Sequence, residues 1–164
     1  MSDPILEFLD EIGSELQNKS VIVGFIDGAT YPDGTLVSDV AYDNEFGDPR
    51  QNRPPRPFFR NAISEHESEW IDVMGKGLMA GHSVDQVLEV MGAVIAGDVK
   101  LSITQLYDPA LSPLTVALRK DKAYRDSKGL PVNDSTKPLV DTGTMLNDVN
   151  YEVRSGYESQ IDSE

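Results

Sequence analysis

The chain contains no cysteine. Disulfides, thiol nucleophiles and thiolate metal ligation are therefore excluded. Histidine is almost as scarce, with only His66 and His82, so a zinc site would have to recruit carboxylates. No apolar run approaches the length needed to cross a bilayer, so no membrane association is expected. The opening "MSDPILEFLDEIG" has no basic residues ahead of an apolar segment, as a secretory signal would. The expectation is a soluble protein folded in a reducing compartment. Positive charge is in short supply too: 14 Lys and Arg against 28 Asp and Glu leave a net charge of −14. A field of that sign repels a phosphate backbone. It also opposes crowding of many copies unless basic patches meet acidic ones.

What is present fits one domain. A chain of 164 residues with 39% hydrophobic content is long enough for a real core. Residues 4–18 place Ile5, Leu6, Phe8, Leu9, Ile12 and Leu16 near a 3.6-residue period, with acids on the other face. Asp3 is suited to the N-cap and Pro4 to the first helical position. "SVIVGFI" at 20–26 is β-branched and apolar, hence a strand. "TLVSDVAYDNEF" at 35–46 alternates, with Leu36, Val40 and Tyr42 on one side. It is expected to pair with the first strand as an antiparallel hairpin across a loop of about eight residues.

Four prolines then block helix and central strand alike from 49 to 57. A helix follows, capped by Asn61 or Ser64, with a buried stripe of Ile63, Trp70, Ile71, Met74 and Leu78, and ended by Gly81. "SVDQ" at 83–86 matches a capping box for a second helix running to about Tyr107, with Gly92 and Gly97 suited to close packing. Residues 107–143 read as a long loop with one helical turn from 113 to 119. A closing strand is expected from about Asn147 to Val153. The resulting fold class is α+β: an antiparallel β-sheet with helices packed on one face and long extended interface loops. The corresponding division is an N-terminal helix at 1–19, an α+β domain at 20–155 and an acidic tail at 156–164.

Motifs for chemistry are weak. "HESEW" at 66–70 lacks the second histidine of a zinc-binding HExxH. Its neighbours Glu65, Glu67 and Glu69 read as a solvated charge run. "MGKGLMAG" is glycine-rich but sits inside an apolar-periodic helix, follows no strand and cannot form a phosphate-cradling nest. "VDTG" at 140–143 resembles the aspartic-protease triplet, which needs two carboxylates sharing a proton. The alternative is that Asp141 or Thr142 caps the turn "TGTMLND". No cofactor or metal is expected.

Basic residues are segregated. Four lie between 50 and 60 (Arg50, Arg53, Arg56, Arg60), and six between 119 and 137, among them Arg119, Lys120, Lys122, Arg125 and Lys137. No recognition helix, RNA-binding signature or zinc module accompanies them, so sequence-specific nucleic-acid binding is not expected. Docking to protein fits better. Prolines lower the entropy lost on ordering, Phe58 and Phe59 can anchor, and arginine forks pair with carboxylates. Either phenylalanine could instead fill the local core.

The stretch "YDNEFGDPRQNRPPRPFFRNAI" resembles the hallmark of the neck and tail-completion proteins of long-tailed bacteriophages. The resemblance rests on Asn44, Glu45, Phe46, Gly47, Pro54, Pro55, Arg56, Pro57, Phe58, Phe59 and Arg60. It continues in "LYDPALSPLTVALRK" and in "KPLVDTGTMLNDVNYEV", through Lys137, Pro138, Leu139, Asp141, Thr142, Gly143, Met145 and Leu146. It covers about residues 20 to 155. It implies a non-enzymatic virion protein, present in the host cytoplasm during assembly. Such a protein forms a homo-oligomeric ring, commonly of about six subunits, that joins head to tail or terminates the tail tube. Its partners would be other neck, connector and tail proteins, with genomic DNA as passing cargo. On this reading Glu45, Phe46, the arginines at 50, 53, 56 and 60, Phe58, Phe59, Asp141 and the basic loop 119–137 form subunit interfaces. The alternative is a soluble acidic protein that binds a host factor and stays outside the virion.

Overall fold

The computed structural model describes residues 3–156. Helix α1 (Pro4–Gln17) begins as its sequence requires: the Asp3 carboxylate accepts from the Ile5 N–H at 2.9 Å, and Pro4 occupies the first turn. Strand β1 (Lys19–Gly24) follows. Helices α2 (Val37–Phe46), α3 (Phe58–Met79) and α4 (Val84–Gln105) come next, then the short helices α5 (Pro113–Lys120), α6 (Lys122–Ser127) and α7 (Thr144–Asp148), and finally strand β2 (Asn150–Ser155). β1 and β2 pair antiparallel, with Val21 opposite Val153 and Val23 opposite Tyr151. The fold is α+β, a small antiparallel sheet with helices packed around it. Among the described residues, no helix is long and apolar enough to cross a membrane.

α4 is the axis of the core. Val84, Val87, Leu88, Ala96, Val99 and Ile103 recur at helical spacing, and all are buried. The helix packs against α3 on one side and against β1 and β2 on another. Gly92 permits the sheet contact, because a Cβ there would stand 2.2 Å from the Tyr151 ring. Gly97 has open space around it instead. The turn into α4 is closed by Gly81 at φ +83° and by the Ser83–Gln86 capping box. On α3 the buried face is Phe58, Ala62 and Trp70, and the Trp70 indole donates to Asp98 of α4 at 2.6 Å. Ile63 and Ile71, expected in the stripe, are exposed.

The hairpin expected from 20–46 does not form. Residues 37–46 are helical because Val37, Ala41 and Glu45, spaced four apart, make a buried helical face. The alternation through Leu36 and Tyr42 leads outward: both are exposed. β2 takes the place beside β1, and strand-like pairing within 27–36 shrinks to a single Thr30–Leu36 bridge. The stretch 107–143 is also more structured than a loop, since α6 follows α5 after one shared capping residue, Asp121. The closing strand begins later than expected, because α7 occupies 144–148 behind Gly143 at φ +81°. The expected acidic tail, beyond Gly156, lies outside the described residues.

Candidate interaction surface

The segment that carries the hallmark motif folds around one carboxylate. α2 delivers Glu45 into the interior, only 6% exposed. Its oxygens accept from the backbone N–H groups of Phe59 (2.9 Å) and Arg60 (3.2 Å) and from the Arg60 Nε (2.8 Å). Arg60 Nη2 also donates to the Glu45 carbonyl at 2.7 Å. α3 starts at Pro57, which makes no side-chain cap. A carboxylate from another helix therefore satisfies its first donors and complements the helix dipole. Asn61 and Ser64, the expected caps, lie inside the helix.

With α2 and α3 pinned this way, an apolar groove of about 360 Å³ opens between them. Phe25, Ala41 and Phe58 line it from the core side; Tyr42, Phe46, Phe59 and Ile63 form its walls. The Tyr42 and Phe46 rings lie 4.7 Å apart, and the Arg60 guanidinium stands 5.1 Å from the Phe46 ring centre. Tyr42 is 65% exposed and Phe46 53%. The two phenylalanines of the motif divide their work: Phe58 is a core residue, 1% exposed, while Phe59 is half-buried and faces the groove.

The basic residues divide as well. Arg50 is exposed, and so is Arg53, 3.8 Å from Asp43. Arg56 turns inward and donates to the carbonyls of Pro109 (3.1 Å) and Ala110 (3.4 Å). In the second basic segment, Arg119 is buried and binds the carbonyls of Ser135, Lys137, Pro138 and Val140 at 2.9–3.3 Å. Arg125 is buried, donating to the Pro131 carbonyl at 2.6 Å and to Asp141 at 2.8 Å. Lys120 and Lys122 stay exposed, the latter 2.7 Å from Asp126; Lys137 lies 5.9 Å from the Tyr107 ring centre. Of the residues expected at an interface, Arg56, Phe58, Arg119 and Arg125 are placed in the subunit interior. Their side chains are consumed inside the subunit, because irregular backbone needs donors for its carbonyls and the core needs the ring.

Asp141 joins that interior network. It accepts from Arg125 and from Asn133 (3.0 Å), lies 3.7 Å from Arg119, and its carbonyl accepts from the Asn133 amide as well. Burial alone would raise its pKa; the bonds from Arg125 and Asn133 and the charges of Arg119 and Arg125 outweigh that and hold it below the usual carboxylate range. Thr142, not Asp141, accepts from the Thr144 N–H at the start of α7. Burial, then the like charge of Arg119, lowers the Arg56 pKa. His66 hydrogen-bonds Glu69 at 3.1 Å on the α3 surface. Among the described residues, no group of three His, Cys, Asp or Glu gathers where a metal could bind.

Sequence reasoning missed Tyr42 and Ile63 as surface residues and Phe25 as part of the groove floor. Reading 37–46 at helical rather than alternating period would have set Tyr42 and Phe46 one turn apart on one face. No family model, curated protein or solved structure matches the chain.

Proposed function

We propose that this protein is a structural component of a bacteriophage neck or head-proximal tail end. It assembles as a ring that joins head to tail or terminates the tail tube, and the genome passes through without sequence-specific contact. One observation carries the reading. The motif on which the resemblance rests builds an exposed aromatic groove, where Tyr42, Phe46 and Ile63 stand in solvent beside Arg60. Contiguous apolar surface of this kind marks a binding site rather than a solvated face, and an acidic chain brings its own carboxylates to a basic rim. The interface set contracts to Phe46, Phe59 and Arg60 with Arg50, Arg53 and the exposed lysines.

The test is incorporation. Tyr42→Glu combined with Phe46→Glu should leave the circular dichroism spectrum unchanged and abolish entry into particles, scored by immunodetection on purified virions and by imaging of the neck. Entry at the normal level would defeat the ring reading. A chain absent from normal virions and recovered bound to a host protein would instead support the host-factor alternative. Arg56→Glu is unsuitable as an interface probe, because its guanidinium is an internal staple.

A further inference from the structure

We infer that α1 is a docking arm whose apolar first half seats in the α2–α3 groove of a second copy of this chain. The apolar stripe of α1 runs its whole length through Ile5, Leu9, Ile12 and Leu16, with Phe8 alongside. The chain covers only the second half. Ile12 and Leu16 are half-buried, whereas Ile5 is 67% exposed, Leu6 59%, Phe8 49% and Leu9 55%. A helix of this length is marginal alone in water, and here its apolar face overhangs its support.

Geometry makes the groove's occupant a different copy. α1 is seated at the N-terminal end of α4, where Phe8, Glu11, Ile12 and Glu15 face Gly81–Val84, and Lys19 pairs with Asp85 at 2.8 Å. The groove lies at the other end of α4, where the Ser102 hydroxyl donates to the Phe58 carbonyl. Eighteen residues of helix separate these ends, about 27 Å at 1.5 Å per residue. Ile5 extends past Phe8 by less than one turn, so the arm falls far short of its own groove. A second copy has no such limit. Amphipathic helices dock in apolar grooves through residues spaced three and four apart, which Ile5, Phe8 and Leu9 supply.

Charge agrees. The overhanging half of α1 carries the acids Glu7 and Asp10 and no base. The groove is flanked by Arg60 of α3, its side chain 56% exposed although paired with Glu45, and Arg53 lies beside Asp43 of α2. The contact joins two different patches, so each added copy presents a fresh arm and a fresh groove. Such heterologous contacts end in a closed ring or run on as a filament. This inference supplies the proposed ring with its contact and rests on that reading only for closure within a virion.

A cysteine-free chain allows a direct test. Purified Leu9→Cys and Tyr42→Cys variants are mixed under mild oxidation across a range of concentrations. The mixed disulfide should form at least about tenfold faster than between Leu9→Cys and Ile71→Cys, a control position exposed on α3. Adding Phe46→Ala and Ile63→Glu to the Tyr42→Cys chain should remove that advantage. Mixed cross-linking no faster than the control overturns the inference. So does a product dominated by Leu9–Leu9 pairs, which would mean that the arms bind one another. Cross-linking as expected in a protein missing from particles would uphold the arm and reject the virion reading.

Discussion

Between its capped ends the backbone of the α3–α4 hairpin satisfies itself, and side chains sort by polarity: apolar faces meet, while Glu65, Glu67 and Lys76 point to water. In the segment 106–143 the two short helices leave much of the backbone irregular. Its carbonyls find partners in arginine side chains that have been drawn inside. Arg119 alone gathers four carbonyls, and Arg125 ties another to Asp141. A guanidinium offers five N–H donors in a rigid fork, which suits it to hold several turns of loop at once. Positive charge is left to solvent at Lys76 in one region and becomes internal scaffolding at Arg119 and Arg125 in the other. What decides is whether the local backbone has unmet acceptors.

The largest break in this contrast should come from Arg119→Met. It strands four carbonyls and leaves Arg125 as the one guanidinium beside Asp141. A loss of about 3–5 kcal/mol is expected in urea denaturation, with amide exchange in 133–140 rising before that in α4. A loss below about 1 kcal/mol would show that the guanidinium is not what holds the loop.

Within the helices, packing should dominate instead. Gly92→Ala drives a methyl into Tyr151 and should cost about 1–3 kcal/mol. Gly97→Ala, on the same helix with open space, should stabilise by about 0.4–1 kcal/mol. Equal effects from the two glycines would refute the sheet contact as the cause. Glu45→Gln keeps the shape of the α3 cap but removes its charge. About 1 kcal/mol of lost stability is expected, with faster exchange at the amides of Phe59 and Arg60.

Proton linkage gives the smallest and most selective comparison. The Asp141 pKa is depressed in the fold, so its contribution is complete above the unfolded value of about 3.9 and fades as pH falls through the lower folded value. Asp141→Asn should flatten the acid limb of the stability profile. The His66 pKa is raised, first by the hydrogen bond to Glu69. Its contribution is present below about 6.5 and is lost as pH rises through the folded value. His66→Gln should flatten that higher range slightly and leave the acid limb alone.

The legible parts of the fold were those with local causes. Asp3 and Pro4 announce α1, "SVDQ" announces α4, and the β-branched run announces β1, because caps and periodicity act within a few residues. The hallmark segment was legible as a surface feature and misread in detail. Val37, Ala41 and Glu45 fit a helix, and Leu36, Val40 and Tyr42 fit a strand. Local pattern could not choose between them, since the choice depends on which strand lies beside β1. The arginines were legible as two clusters, but their direction was not. Arg119 and Arg125 face inward because the carbonyls of 131–140 come to meet them, and those carbonyls are placed by the path of the chain.

The sequence by itself determined the helical hairpin, the acidic arm, the absence of thiol chemistry and the concentration of aromatic and basic residues around 42–60. Each follows from composition or from spacing over a turn or two. Tertiary structure alone decided that Glu45 caps the next helix through the Phe59 amide, fourteen residues further along the chain, that Phe58 goes in while Phe59 lines a groove, and that the arm and the groove stand at opposite ends of α4. Those outcomes depend on contacts between residues distant in the chain, where burial and unmet hydrogen bonds, rather than local preference, set the direction of each side chain.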